Sequence, residues 1–273
     1  MASDQVLDFE RLLNPISEDN PTGDEFRSID SIGYYELRRM RDALSHDETA
    51  PPELKKARDE DSWQKVFHQC ETVIAESSKD LHVAAWLIEA AVRLHGFAGL
   101  RDGLRLVREL CERYWEGIYP RPDEDGVLTT VAPLTGLNGE DTDGPLVLAI
   151  RRIPITQGRS YGPFSLWHHQ QAYELDSKPE LREQRLADGW ISQEMFQAAA
   201  SETPREHFQT VLEDIDVCLH ELSELDTTLQ EKCGQDESGF PLAPATSRIR
   251  NALEDAKRTI GGIIRETFGE PVS

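Results

Sequence analysis

The chain has 273 residues, 38% of them hydrophobic, enough for one large or two modest cores. Its 51 acidic residues against 29 basic ones give a net charge of −22. That balance argues against a nucleic-acid-binding face and against docking on an anionic membrane, since both need clustered Lys and Arg. Ordinary helix patterning accounts for most of the excess acid as solvated surface, and a field that steers a basic partner is the sharper reading. Residues 1–10 lack the basic and apolar regions of a signal peptide, and no apolar run approaches the roughly 20 residues that span a bilayer. Cys70, Cys111, Cys218 and Cys233 are widely spaced, and Cys70 and Cys111 sit on apolar helix faces. A reduced, cytoplasmic protein is the expectation.

In chain order, Ser3 is placed to cap a short first helix carrying Val6, Leu7, Leu12 and Leu13. Residues 14–23 form a loop rich in Pro, Asn and Asp. Residues 24–44 show mixed helical periodicity, weakened by Gly33, and 46–61 read as a loop or short helix. Residues 62–77 predict a helix with the stripe Trp63, Val66, Phe67, Cys70, Val73 and Ile74. Two further helices follow over 80–120, joined at Gly96. Apolar residues recur there at offsets of three and four, from Leu81, Ala84, Leu87 and Ile88 to Leu104, Val107, Leu110, Cys111 and Trp115. Three successive helices with short connections imply an antiparallel bundle or array. Residues 121–126 and 138–144 are turns, and 146–155 reads as a short strand. Residues 167–186 read as an interdomain connection. Helices are expected over 192–200, from Pro204 toward Leu229, and over 247–268.

Several residue groups invite a chemical reading. Gly158-Arg159-Ser160-Tyr161-Gly162 matches G-x-S-x-G, whose serine is a nucleophile only on a sharp strand-to-helix turn at a parallel sheet. Pro163 follows at once, and His207 and His220, the candidate bases for Ser160, lie on expected helices. A glycine-flexed loop is the better reading. His168 and His169 are adjacent and so point different ways, a poor arrangement for one metal. The acidic turns at Asp123-Glu124-Asp125-Gly126 and Asp141-Thr142-Asp143-Gly144 lack the terminal bidentate Glu of a calcium loop. Gly96, Gly99 and Gly103 do not form G-x-G-x-x-G, and no phosphate-cradling motif occurs. Trp86, Tyr114 and Trp115 read as core aromatics. No catalytic, cofactor-binding or metal residue is therefore expected.

The same residues resemble one family in order. Leu12-Leu13-Asn14-Pro15-Ile16-Ser17 with Asn20-Pro21-Thr22-Gly23 resembles the opening of the ImpA N-terminal family, the TssA-type components of the bacterial type VI secretion system. The Trp63 helix follows, then the helical stretch 80–120, then Pro133-Leu134-Thr135-Gly136-Leu137-Asn138-Gly139 and residues 150–166. A weaker likeness to the family's middle helical domain covers about 189–268. The resemblance implies a non-enzymatic scaffold or cap linking the baseplate and membrane complex to the tail tube and sheath. Composition and motifs add the expectation of no cofactor, no nucleic acid and no direct membrane insertion. Full-length members usually continue into a ring-forming C-terminal domain, so ring formation is not expected of a chain ending at Ser273.

The expected fold is mainly α: a helical bundle or array over 1–165 with minor short strands, a linker over 166–190, and a smaller helical domain over 191–273. Two long helices alone make a thin core, so the small domain cannot bury their apolar stripes by itself. A two-fold homodimer through it is therefore expected, against the competing arrangement in which it packs back on the first domain.

Overall fold

A computed structural model describes residues 1–177 and 179–269. The helices are α1 (Phe9–Leu13), α2 (Phe26–Ile29), α3 (Ser31–Asp47), α4 (Trp63–Glu76), α5 (Leu81–Tyr114), α6 (Val127–Asn138), α7 (Pro145–Arg152), α8 (Leu166–Ser177), α9 (Arg182–Ala187), α10 (Gln193–Glu202), α11 (Arg205–Cys233) and α12 (Ser247–Phe268). Strand character among the described residues is confined to isolated bridges such as Pro154 with Ser165. The mainly α expectation holds.

The centre of the fold is α5, and its path follows from three glycines. Gly96 has φ 59° and ψ −136°, outside the helical region, and reverses the chain. Ala91 and Gly99 then face each other, as do Ile88 and Gly103. A Cβ on Gly99 would lie 2.1 Å from the Ala91 carbonyl oxygen, and one on Gly103 2.7 Å from Ile88 Cγ1. Both pairs straddle Gly96 nearly symmetrically, so the two halves of α5 run antiparallel in close contact. The open end is closed by Leu81 N–H donating to the Tyr119 carbonyl (2.7 Å) and Tyr119 N–H to the Lys79 carbonyl (2.9 Å). The two sequence-expected helices are therefore a hairpin, capped at its start by the Asp80 carboxylate, which accepts from His82 N–H.

This hairpin is the core. Leu81, Leu87, Leu100, Leu106, Val107 and Leu110 are fully buried, each contributing about 1.5–3 kcal/mol of transfer free energy. By length and hydropathy α5 is also the one described helix that could cross a membrane, but 78% of its most apolar window is buried in the protein. Trp115, expected in the core, is only half-buried, because it sits one residue past the end of α5. Helix α4, capped by Ser62, packs on one side of α5, and α11 packs along the other. Helices α6 and α7 lie against α5, and α12 bridges α11 and α7.

The α11 stripe is covered within the chain. Phe208, Ile215, Cys218 and Leu222 are fully buried, α11 packs along α5, and Cys218 Sγ lies 3.2 Å from the Phe97 carbonyl oxygen. One continuous apolar core joins residues on both sides of the expected linker, and 166–177 within that linker is helical. The uncovered stripe that motivated a two-fold dimer is thus absent.

Two further expectations change. Of the strand expected over 146–155, residues 146–152 belong instead to α7, with Leu146, Val147, Ala149 and Ile150 on its buried face, and only its end pairs, Pro154 bridging Ser165 and Ile155 N–H donating to the Phe164 carbonyl at 2.8 Å. Pro145 supplies a pre-set first helical turn there, which outweighs the β-branched content. Ser3 caps no helix; Asp8 caps α1, while Ser3 bonds Asp214 of α11 through its N–H (3.0 Å) and hydroxyl (2.5 Å).

Candidate interaction surface

The groups with an enzymatic or metal reading occupy structural positions. Ser160 lies in an exposed loop between α7 and α8, with neither a strand before it nor a helix directly after it. Its hydroxyl donates to Glu202 Oε1 at 2.5 Å, and the N–H groups of Arg159 and Ser160 donate to Glu202 Oε2. These bonds, the Ser160 hydroxyl's first, hold Glu202 below the usual carboxylate range. Its partner is an acceptor carboxylate, not an imidazole base, so nothing supports the serine-hydrolase alternative.

His168 Nδ1 is bonded to Ser165 at the start of α8, while His169 packs edge-on against Tyr173 and Phe196. Burial pushes both imidazoles below their ordinary range. In the acidic turns, Asp123 accepts from Asp125 N–H (3.0 Å) and the Thr129 hydroxyl, and Asp143 pairs with Arg151 (2.6 Å) and Arg248 (3.1 Å). Among the described residues no group of three or more His, Cys, Asp or Glu could hold a metal ion. All four cysteines are free and buried, and burial pushes Cys111 up to about 12 and Cys233 up to about 11.

What the structure does expose is the α2–α3 edge. Helix α3 is capped by Asp30, whose carboxylate accepts from Gly33 N–H at 2.8 Å. It buries Tyr34, Leu37 and Met40 on one face. Its outer face presents Ile32, 83% exposed, and Tyr35, beside the exposed Ile29 of α2. Contiguous exposed apolar patches mark contact sites, whereas singly scattered apolar residues do not. An apolar groove of about 520 Å³ opens beside Ile29 and Ile32 between α3 and α4, with Phe26, Ile29, Leu37 and Val73 in its walls. On the other side of α3, a second cleft of about 440 Å³ lies against α5 and α6. Tyr34, His82 and Trp86 line it, with Tyr34 and Trp86 ring centroids 5.3 Å apart.

Arginines bordering this region divide into two groups. Arg41 and Arg93 belong to a ladder that crosses the molecule. Arg41 Nε donates to the fully buried Glu89 at 2.9 Å, and Arg93 Nη2 to Glu48 at 3.0 Å. Arg152 reaches the same Glu48 at 3.5 Å. Arg93 also stacks on Trp63 of α4 at 4.1 Å, and Arg152 lies over Trp167 of α8 at 5.7 Å. The ladder thereby ties α3, α4, α5, α7 and α8. Arg27 and Arg38 stand outside it, at the mouth of the second cleft.

Sequence reasoning missed Ile29, Ile32, Tyr35, Arg27 and Arg38. Their signal was present as the mixed periodicity of 24–44, where Tyr34 and Leu37 face inward while Ile32 and Tyr35 form a second apolar face pointing out.

The α2–α6 region coincides with a family match. Residues 13–139 match the family described as ImpA, N-terminal, type VI secretion system. The type VI secretion system component TssA1 of Pseudomonas aeruginosa is 30% identical over 259 residues, covering 91% of this chain and 68% of that protein. The N-terminal domain, including the conserved ImpA N-terminal region, of the TssA component from Burkholderia cenocepacia shares the fold. That match has a TM-score of 0.80 at 24% identity, over 97% of this chain and 96% of that one. The chain belongs to the ImpA N-terminal family, the TssA-type components of the type VI secretion system.

Proposed function

We propose that the chain is a cytoplasmic scaffold or cap that links the baseplate or membrane complex of the secretion machine to its tail tube and sheath. Its structural, assembly role follows from the family; the specific partners are the proposal. The observation that supports a contact role is the α2–α3 edge, where Ile32 and Ile29 stand exposed next to an apolar groove. Partner binding would cover those side chains, which the fold itself leaves in water at a cost of about 25 cal/mol per Å² of apolar surface. A homodimer through 191–273 is not part of this reading, since α11 is covered by α5.

The test is Ile29→Asp with Ile32→Asp in a bacterium that carries the system. Sheath assembly, followed by fluorescence of a labelled sheath protein, should be lost, while the purified variant keeps its helical circular dichroism and melting temperature. Normal sheaths in that variant would rule out this edge as the contact surface.

A further inference from the structure

We infer that the cleft between α3, the first half of α5 and α6 binds a short acidic peptide segment of a partner protein. Arg27 and Arg38 hold its carboxylates, and the aromatic lining takes the neighbouring apolar side chains.

The cleft's volume, about 440 Å³, is in the range of binding pockets. Its charges are unequally engaged. Arg41 is held by Glu89 and by Asp42, at 2.7 Å from the latter. Arg27 makes no ion pair among the described residues; its guanidinium rests 5.4 Å from the centre of the Tyr35 ring. Arg38 has only a loose contact of 3.7 Å to Asp42, which already bonds Arg41, and both of these side chains are about half exposed. Two arginines therefore line the cleft without a firm carboxylate partner.

His82 adds a second, independent observation. Its ring lies 6.0 Å from that of Trp86, and its side chain makes no hydrogen bond among the described residues. Burial first, then the positive charges of Arg38 and Arg27, push its imidazole down to about 4, and Glu25 only partly opposes them. At this ring the two arginines outweigh Glu25, in a chain whose net charge is −22. At neutral pH the uncharged ring offers one donor and one acceptor to a peptide.

The surroundings choose the occupant. A nucleic acid carries dense negative charge that the rest of this acidic surface repels. One or two carboxylates meet that repulsion far less, and a guanidinium binds a carboxylate through two parallel hydrogen bonds. Pro133 and Leu137 on the opposite wall, with the Tyr34 and Trp86 rings, suit apolar side chains beside the acid. Arg, Tyr and Trp are also the residue types that dominate interface energetics. The inference rests on the assembly reading only in assigning the peptide to a partner protein.

The test uses a fluorescein-labelled peptide of about ten residues alternating Asp with Leu and Phe, titrated with the full chain by fluorescence anisotropy. Saturable binding is expected. Arg27→Glu with Arg38→Glu should weaken it by at least about tenfold, and the gentler Arg27→Gln with Arg38→Gln by about threefold or more. The Asn-for-Asp peptide should not bind, and neither inorganic phosphate nor a single-stranded oligonucleotide should displace the acidic peptide. The His82 ring resonances should shift on binding. Unchanged affinity in the charge-reversed chain, displacement by phosphate or oligonucleotide, or absence of saturable binding would each overturn the inference. Absence of peptide binding by the unaltered chain refutes the cleft alone and leaves the assembly reading standing. Lost assembly on Ile29→Asp with Ile32→Asp supports the other surface independently.

Discussion

Arg41 on α3 lines the second cleft as Arg27 and Arg38 do, yet with Arg93 of α5 it does different work from that pair. Arg41 and Arg93 surround a carboxylate that water does not reach. Glu89 is fully buried, and desolvation alone would drive its proton affinity up; Arg41 and Arg93 act against that. Its Oε2 nevertheless has no hydrogen bond, with Arg93 Nη1 at 3.6 Å. Arg27 and Arg38 stand in water with weak or no acidic partners. The contrast teaches that a guanidinium's role is set by the burial of what faces it, and not by its place on a helix.

The largest effect expected from this contrast follows removal of Glu89. Glu89→Ala leaves Arg41 and Arg93 without their shared carboxylate beneath α3, so unfolding free energy should fall by about 3–5 kcal/mol, read by urea denaturation. A loss under about 1 kcal/mol would mean that Glu48 and Asp42 suffice for the two arginines and that the ladder is not structural.

A middle-sized effect concerns pH at the start of α5. Burial lifts the Asp80 carboxyl to about 6, so the folded state holds a proton that the unfolded state releases, and stability falls as pH rises from about 4 to 6. His82, pushed down to about 4, does the reverse: the unfolded state holds the extra proton, and stability rises between about 4 and 6.5. The two slopes nearly cancel in the native chain. Asp80→Asn keeps a good helix cap but removes one slope. Its stability should therefore climb by about 2–3 kcal/mol more than the parent's across that window. A climb no steeper than the parent's would show that Asp80 does not hold the extra proton in the folded chain.

How much of this was visible in the sequence follows the same division. The α5 hairpin was legible because Gly96 interrupts two strong apolar stripes, and α4, α10 and α12 because Ser62 and Ser192 cap helices and period-3.6 stripes run on. Helix α6 was not, since Pro133 and Gly136 interrupt it; it survives as a short helix packed on α5. Helix α7 was hidden by its Leu, Val and Ile content, and only Pro145 pointed to a helix start. The covering of α11 by α5 depends on contacts more than a hundred residues apart, such as Cys218 with Phe97, which no local pattern encodes. The cleft was illegible for the same reason: Arg27, Arg38, His82 and Pro133 lie on four different helices.

The smallest expected effect is also the decisive one. Arg27→Ala with Arg38→Ala should change unfolding free energy by no more than about 0.5 kcal/mol, the usual range for surface positions without a firm partner. Urea unfolding of this double variant beside Glu89→Ala tests the division of the arginines most directly. The account predicts an unchanged midpoint for the first and a large fall for the second. Comparable losses in both would contradict it, because Arg27 and Arg38 would then be holding the fold and not standing ready for a partner.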